Sequence, residues 1–476
     1  MKKVLILLLF PIALNAQKNY PELLNNFMQA EVSVNGFNGN VLVAKQGKVI
    51  YQKSFGYRNY TTKEFLDNNS VFELASISKQ FTAMGILILK EKGKLKLTDS
   101  LRKFFPELPY KNITIQNLLT HTSGLPEYGD SMATKWDHKK VAFNNDALMF
   151  LAKEKLAVNF NPGEKWEYSN TAYDLLASII EKVSGLSLRE YMQKYIFRPL
   201  GMEYSLAYNT RRSSHEIVPD YAYGYVYSDS LKRYILPDSL PEYDYVIWAD
   251  GILGSGCINS STGDLLKWDR ALKNHLLLSE STNIEMLSPQ SIIDTIAKKY
   301  YGYGVILGRN EIGDYVMHSG GWPGYITFLI RYLANDITII VLSNNESNSI
   351  LVTGALSYLL KDKPVVLPYK HIAKEIDTSL LNKYVGRYRI EYIPAASAIR
   401  NIPVPAIIVL SKKEGKLVYH FEKRTEEVEL KPESENKFFS ESKPDVQIEF
   451  EMDQFGAVSR TYFIVHGMKN EIEKIF

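Results

Sequence analysis

The stretch SISKQFTAMGILILKEK, residues 76–92, opens on a hydroxyl, places an amine three positions later and then runs into an apolar segment. Phe81, Met84, Leu87 and Ile88 recur at helical spacing and Gly93 supplies a stop, so the stretch predicts a helix over 77–92 with Ser76 at its N-terminus. Side chains three residues apart share a helix face, which brings the Ser76 hydroxyl to the Lys79 amine. A serine nucleophile must lose its proton, and a lysine whose ammonium is partly desolvated is neutral enough to take it. The positive end of the helix favours an oxyanion forming beside it. Alone, the same pattern is also an ordinary N-capping serine followed by a lysine.

Working outward, apolar residues alternate from 32 to 57, and Gln46-Gly47 between Val41-Leu42-Val43 and Val49-Ile50-Tyr51 predicts a β-hairpin. Helices follow at 146–155, at 171–183 with Gly185 as terminator, from a Ser187 cap towards Phe197, and at 262–273. From Tyr303 the strand period returns at 304–307, 325–332 and 337–342, the last two joined by an Asn335-Asp336 turn, before a final helix at 349–360. Strands at both ends with helices between predict one mixed sheet closed by the two termini of the domain. Residues 363–373, beginning Lys363-Pro364, read as a linker. Short alternating runs at 406–410, 417–421, 446–450 and 459–465 then predict a small β-barrel or sandwich over 374–476.

Composition bounds the function. With 45% hydrophobic and 23% charged residues in 476, the chain is a folded protein large enough for an enzyme. Its 56 basic and 53 acidic residues leave a net charge of +3, and no basic run interleaved with aromatics argues for nucleic acid as a partner. Lys2 and Lys3, an apolar run over 4–14 and Asn15-Ala16 before Gln17 read as a signal peptide over 1–16, shorter than the roughly 20 residues of a membrane span. The expectation is export to the periplasm or beyond the cell, with no stable membrane span after cleavage and a mature domain over 17–362. A single cysteine, Cys257, excludes an intramolecular disulfide and a cysteine-based zinc cluster. None of the eight histidines stands in a His-Glu-x-x-His pattern, so no metal or cofactor is expected.

Two further motifs carry chemistry. Tyr168-Ser169-Asn170 leads into the helix at 171. A phenol beside a lysine is ionised or shares its proton, and Asn170 either orients Lys79 and binds a substrate carbonyl or simply caps the helix. His318-Ser319-Gly320-Gly321 ends a strand, where glycines let a substrate backbone approach and expose an amide to an oxyanion. His318 there holds substrate, joins the tyrosine's proton network or is structural.

Ser76-Ile77-Ser78-Lys79, Leu118-Leu119-Thr120-His121-Thr122-Ser123-Gly124-Leu125, Tyr168-Ser169-Asn170, Gly251-Ile252-Leu253-Gly254-Ser255 and His318-Ser319-Gly320-Gly321 occur in this order. In that series the chain resembles the serine β-lactamase and penicillin-binding-protein superfamily, in its class C-like branch with esterases and D-aminopeptidases. The resemblance covers roughly 36–360. It implies an α+β fold (α/β sandwich) with an antiparallel sheet flanked by helices, and the C-terminal residues look like an accessory all-β domain. It further implies that Ser76 forms an acyl-enzyme, that Lys79 and Tyr168 move its proton, and that Asn170 supports Lys79. Asn170, His318 and Gly320 would contact substrate, and the amides of Ser76 and Gly321 would form the oxyanion hole. His121 shapes a loop near the site, and Cys257 is expected to be a buried small residue.

One departure redirects the substrate. Where many superfamily members begin the third motif with a lysine that binds a carboxylate, this chain has His318, an imidazole largely neutral at pH 7 with a reference pKa of about 6.5. The reading is therefore an ester, amide or D-amino-acid peptide hydrolase. The alternatives are a β-lactamase, or a non-catalytic relative that binds cell-wall peptide. A Ser-His-Asp α/β-hydrolase finds no G-x-S-x-G stretch between a strand and a helix. Oligomeric state is not readable from the chain.

Overall fold

In the computed structural model, residues 18–208, 217–391, 405–443 and 446–475 are described. The proposed signal segment, 1–16, lies outside them. Eight strands form the main sheet in the spatial order Ser291–Asp294, Lys299–Tyr301, Ile306–Asn310, Gly313–Trp322, Tyr325–Tyr332, Ile337–Ser343, Gly39–Lys45, Lys48–Phe55. The N-terminal hairpin docks on the last strand, with Val41 opposite Val341 and Lys45 opposite Ile337, so the two ends of the domain close one sheet. Every pairing is antiparallel. The mixed sheet expected from the strand–helix–strand pattern is corrected on that point, because consecutive strands from 291 to 343 are linked by short turns, and short turns join only antiparallel neighbours.

The run Ile337–Ser343 is buried along its whole length. Its residues alternate between two cores. Ile340 and Leu342, with Leu42, pack on the side of the helix Ser78–Glu91. Ile339 and Val341, with Val41 and Val43, pack on the other side against Leu24 and Phe27 of Tyr20–Asn35 and Leu351 and Val352 of Ser349–Leu359. A sheet covered on both faces has no solvent side, which is why this strand reads as continuously apolar.

The helix Tyr20–Asn35 absorbs residues 32–35, which sequence alternation had assigned to a strand. Leu24, Phe27, Met28 and Glu31 repeat at helical spacing and are buried, Pro21 sits in the first turn, and Gly36 closes the end in the left-handed conformation with φ 68°.

Beyond the catalytic-size domain, eight strands from Gly386–Ile390 to Met468–Lys474 form a closed barrel, shut by pairing Tyr388 with Lys474. Closure leaves no strand edge for further pairing. Tyr388, Ile408, Ile448, Phe450 and Phe463 fill it. The barrel leans on the N-terminal helix, where Glu31 and His466, both buried, meet at 2.9 Å. Residues 363–373 lie along it, with the Val366 amide donating to the Gly467 carbonyl at 2.8 Å and Tyr369 donating to Glu433 at 2.6 Å.

Candidate active site

Ser76 sits in a tight turn, Ala75–Ile77, that feeds directly into the helix Ser78–Glu91. Ala75 takes a φ of 47°, a left-handed conformation costly for a residue with a β-carbon, and strain of this kind persists only where the surroundings impose it. Here they do. The Leu74 amide donates to the Ile258 carbonyl at 2.9 Å, and the Leu74 carbonyl accepts the Thr327 hydroxyl at 2.8 Å. Thr82 donates to the Gly254 carbonyl at 2.8 Å, and Ser78 accepts the Ile258 amide at 3.0 Å. The turn is thus clamped between the sheet and the 254–258 loop, with Ser76 half-buried at its apex.

Lys79 is fully buried. Its ammonium nitrogen reaches Ser76 Oγ at 3.2 Å, Asn170 Oδ1 at 2.8 Å and the Ser255 carbonyl at 3.0 Å, and lies 4.7 Å from the Tyr168 ring centre. Burial pulls its pKa down from the ordinary lysine range, with the negative charges of Asp174 and Glu127 working the other way. Asp174 is its counterpart: burial pushes the carboxyl up, while bonds from Ser255 and Tyr128 and the charge of Lys79 pull it back. Burial likewise raises Tyr168, the neighbouring Ser76 hydroxyl opposing it only in part. At neutral pH the phenol is therefore protonated, and the amine is the group prepared to accept a proton.

The Tyr168-Ser169-Asn170 segment owes its shape to a division of labour. Ser169 caps the helix Asn170–Ser184 by accepting the Ala172 amide at 3.1 Å. That releases Asn170 from capping, the simpler of its two sequence readings, and leaves its side-chain oxygen for Lys79. His121 fixes the segment from behind: its Nδ1 accepts the Ser169 amide at 3.0 Å and its ring lies 4.4 Å from that of Tyr168.

Ser76, Asn170 and Gly321 all line one cleft of about 440 Å³. His318 and Gly320, expected to touch substrate, stand behind its wall. His318 is 2% exposed, its Nδ1 donates to the Ser319 carbonyl at 2.7 Å and its Nε2 faces the Tyr301 hydroxyl at 3.3 Å. Burial and the nearby Lys79 push its pKa down to about 3, so the ring is neutral. Gly320 faces inward, where a β-carbon would come within 2.0 Å of the Leu74 carbonyl, whereas one on Gly321 would meet nothing within 4 Å. Cys257 is corrected: it is half-buried, lines the cleft and has a φ of 68°, because the 254–258 loop must turn back on itself to reach Lys79 and Ser78.

Sequence reasoning missed Asp174 and the cleft residues Tyr245, Trp248 and Trp322. Asp174 left a trace, a carboxylate one turn after Asn170 among the apolar residues Ala172, Tyr173, Leu175 and Leu176. It accepts the Tyr128 hydroxyl at 2.8 Å and the Ser255 amide at 3.0 Å, which ties the loop carrying the Lys79 acceptor to the helix carrying Asn170.

An antiparallel sheet between helical layers, with a Ser-x-x-Lys pair at the head of a buried helix, is the architecture of the β-lactamase-like serine hydrolase family. Known proteins agree: the Beta-lactamase family model matches residues 25–356, and the chain belongs to that family. It is similar to penicillin-binding protein 4* of Bacillus subtilis, 40% identical over 92% of this chain and 95% of that protein. Among solved structures, a penicillin binding protein from Bacillus halodurans is 26% identical with a TM-score of 0.62, over 71% of this chain and 98% of that one. An octameric penicillin-binding protein homologue from Pyrococcus abyssi is 25% identical with a TM-score of 0.63, over 95% of this chain and 99% of that one.

Proposed function

We propose that the protein is an exported serine hydrolase that acts through an acyl-enzyme on an ester, amide or D-amino-acid peptide. The observation that carries this reading is the buried Lys79 amine held between Ser76 Oγ and Asn170 Oδ1. In its neutral form Lys79 takes the Ser76 proton as Oγ attacks the acyl carbonyl. The backbone amides of Ser76 and Gly321, both on the cleft wall, stabilise the oxyanion. Tyr168, protonated and beside both groups, passes a proton to the leaving group and recovers it from the water that hydrolyses the ester, while the Lys79 ammonium returns its proton to Ser76 Oγ as the acyl group departs. Asn170 keeps Lys79 aligned and offers its amide N–H to the substrate carbonyl.

His318 acts from behind the wall, buttressing the strand through Ser319 and Tyr301. A neutral, buried imidazole offers nothing to a substrate carboxylate, which argues against efficient β-lactam hydrolysis. Export rests on the sequence of residues 1–16. No helix among the described residues is long and apolar enough to cross a membrane.

The test is the rate of p-nitrophenol release from a neutral p-nitrophenyl ester by wild type, Ser76→Ala and Lys79→Ala. Both variants lose turnover by several orders of magnitude on this reading. Near-normal turnover by Lys79→Ala would sink the lysine-base assignment.

A further inference from the structure

We propose that the cavity between the larger domain and the barrel is a second binding site, built for a neutral saccharide. It encloses about 600 Å³, inside the range of roughly 300–1,000 Å³ usual for ligand pockets. Among the described residues it shares no lining residue with the cleft that holds Ser76. Two units of the chain supply its walls. Tyr234, Asn345 and Glu346 come from the larger domain, and Tyr369, His371, Phe439 and Gln447 from the linker and the barrel. Neither unit has the site alone.

One carboxylate organises the wall on the barrel side. Glu433, in the strand Val428–Ser434, accepts the Tyr369 hydroxyl at 2.6 Å and meets His371 Nδ1 at 3.3 Å. The His371 ring is stacked on Phe439, centres 4.7 Å apart and planes at 15°, and lies 4.4 Å from the Tyr369 ring. Groups locked in this way lose little further freedom when a ligand arrives. The wall nevertheless leaves hydrogen-bonding capacity unused. The Tyr369 phenol has one hydrogen, and Glu433 takes it. Gln447, 6% exposed, brings one end of its amide to 3.3 Å from the phenol oxygen, and the other end has no partner among the described residues. His371 Nε2 has none there either.

Aromatic surface beside open polar groups selects a ligand that presents both kinds of contact. The face of an aromatic ring is negative and attracts the slightly positive hydrogens of C–H bonds. A hydroxyl is donor and acceptor at once, so it pairs with either end of the Gln447 amide and with either form of the His371 nitrogen. A sugar ring carries C–H bonds on its faces and hydroxyls around its edge. Other ligand classes suit the cavity less. A purely apolar molecule would bury the Gln447 amide unpaired. An anion finds no buried lysine or arginine, since Lys370, the one such residue on the described lining, is exposed. A cation finds the carboxylates engaged: Glu31 meets His466 at 2.9 Å, Glu441 meets Lys431 at 2.6 Å, and Glu346 accepts the Gly324 amide at 3.2 Å.

The experiment is a calorimetric titration of the wild-type chain with cellotriose, maltotriose and chitotriose, and with tri-D-alanine and octanoate for comparison. At least one trisaccharide binds, and binds more tightly than tri-D-alanine or octanoate. In its presence amide hydrogen exchange slows at 366–371 and 439–441. Gln447→Leu keeps the volume of the side chain and removes both polar ends, and it lowers the affinity by about tenfold, the worth of one or two hydrogen bonds. Circular dichroism checks that this variant is folded. Where it is not, Tyr234→Ala, on the other unit, takes its place and lowers the affinity by loss of an aromatic face. Binding of none of the three sugars, tighter binding of tri-D-alanine or octanoate, or an unchanged affinity in the folded variant overturns the inference. Because none of these readings requires turnover, the result stands whatever Ser76 does.

Discussion

Replacing Gly320 with alanine separates the strand that carries Gly321 from the turn that carries Ser76. The added β-carbon would stand 2.0 Å from the Leu74 carbonyl oxygen, 2.4 Å from Thr327 Oγ1 and 3.1 Å from the Ala75 β-carbon. Carbon and oxygen make van der Waals contact at about 3.2–3.4 Å, so strand and turn must part by roughly 1.2 Å, against tight packing on both sides. Two costs follow. Overpacking of a filled site is worth about 1–3 kcal/mol, and the Thr327–Leu74 hydrogen bond that spans the gap adds about 1 kcal/mol when it stretches, giving roughly 2–4 kcal/mol of lost stability. A displacement of about 1 Å between the Gly321 amide and Ser76 lowers the acylation rate by about 10²-fold. Stopped-flow acylation with a neutral ester and thermal unfolding measure the two effects. Gly321→Ala is the control, since its β-carbon enters open space and the fold loses little. Wild-type acylation and an unchanged unfolding temperature in Gly320→Ala would refute the claim that this contact sets the spacing of nucleophile and oxyanion donor.

Acylation rises with pH across the neutral range, because burial lowers the Lys79 pKa and the neutral, proton-accepting amine grows as pH climbs through that lowered value. A half-rise at or above the usual lysine pKa of about 10.4 would contradict it. Asp174→Asn removes a charge that holds the Lys79 pKa up, so the same limb moves to lower pH, and a shift to higher pH would show the sign to be wrong. Ser169→Ala deletes the cap on Asn170–Ser184 and costs about 1 kcal/mol in chemical denaturation, with a slower acylation because Tyr168 and Asn170 flank the lost cap. No loss in either measurement would mean the segment is held by His121 alone.

Much of this architecture was written locally. The 337–343 run, the Thr262–Lys273 helix and the Tyr325–Tyr332 strand follow from periodicity and turn residues, because each is a complete amphipathic or apolar unit. Ser76, Lys79 and Asn170 were legible as a group only through motif order, since 91 residues separate Lys79 from Asn170 and nothing local predicts their 2.8 Å contact. The placement of His318 was not legible. Its strand neighbours do not say which face meets the cleft; Tyr301, 17 residues earlier, takes its ring nitrogen, and a single step in strand register decides that. Asp174 was hidden because the groups it holds, the Tyr128 hydroxyl and the Ser255 amide, lie 46 and 81 residues away along the chain.

The most direct test of the central claim is intact-protein mass spectrometry after brief exposure to p-nitrophenyl esters, D-amino-acid amides and penicillin, followed by peptide mapping. The account predicts a transient mass increase equal to the acyl group, mapping to the peptide that contains Ser76 and absent from Ser76→Ala. An adduct on another residue, or one that persists undiminished in Ser76→Ala, would contradict it.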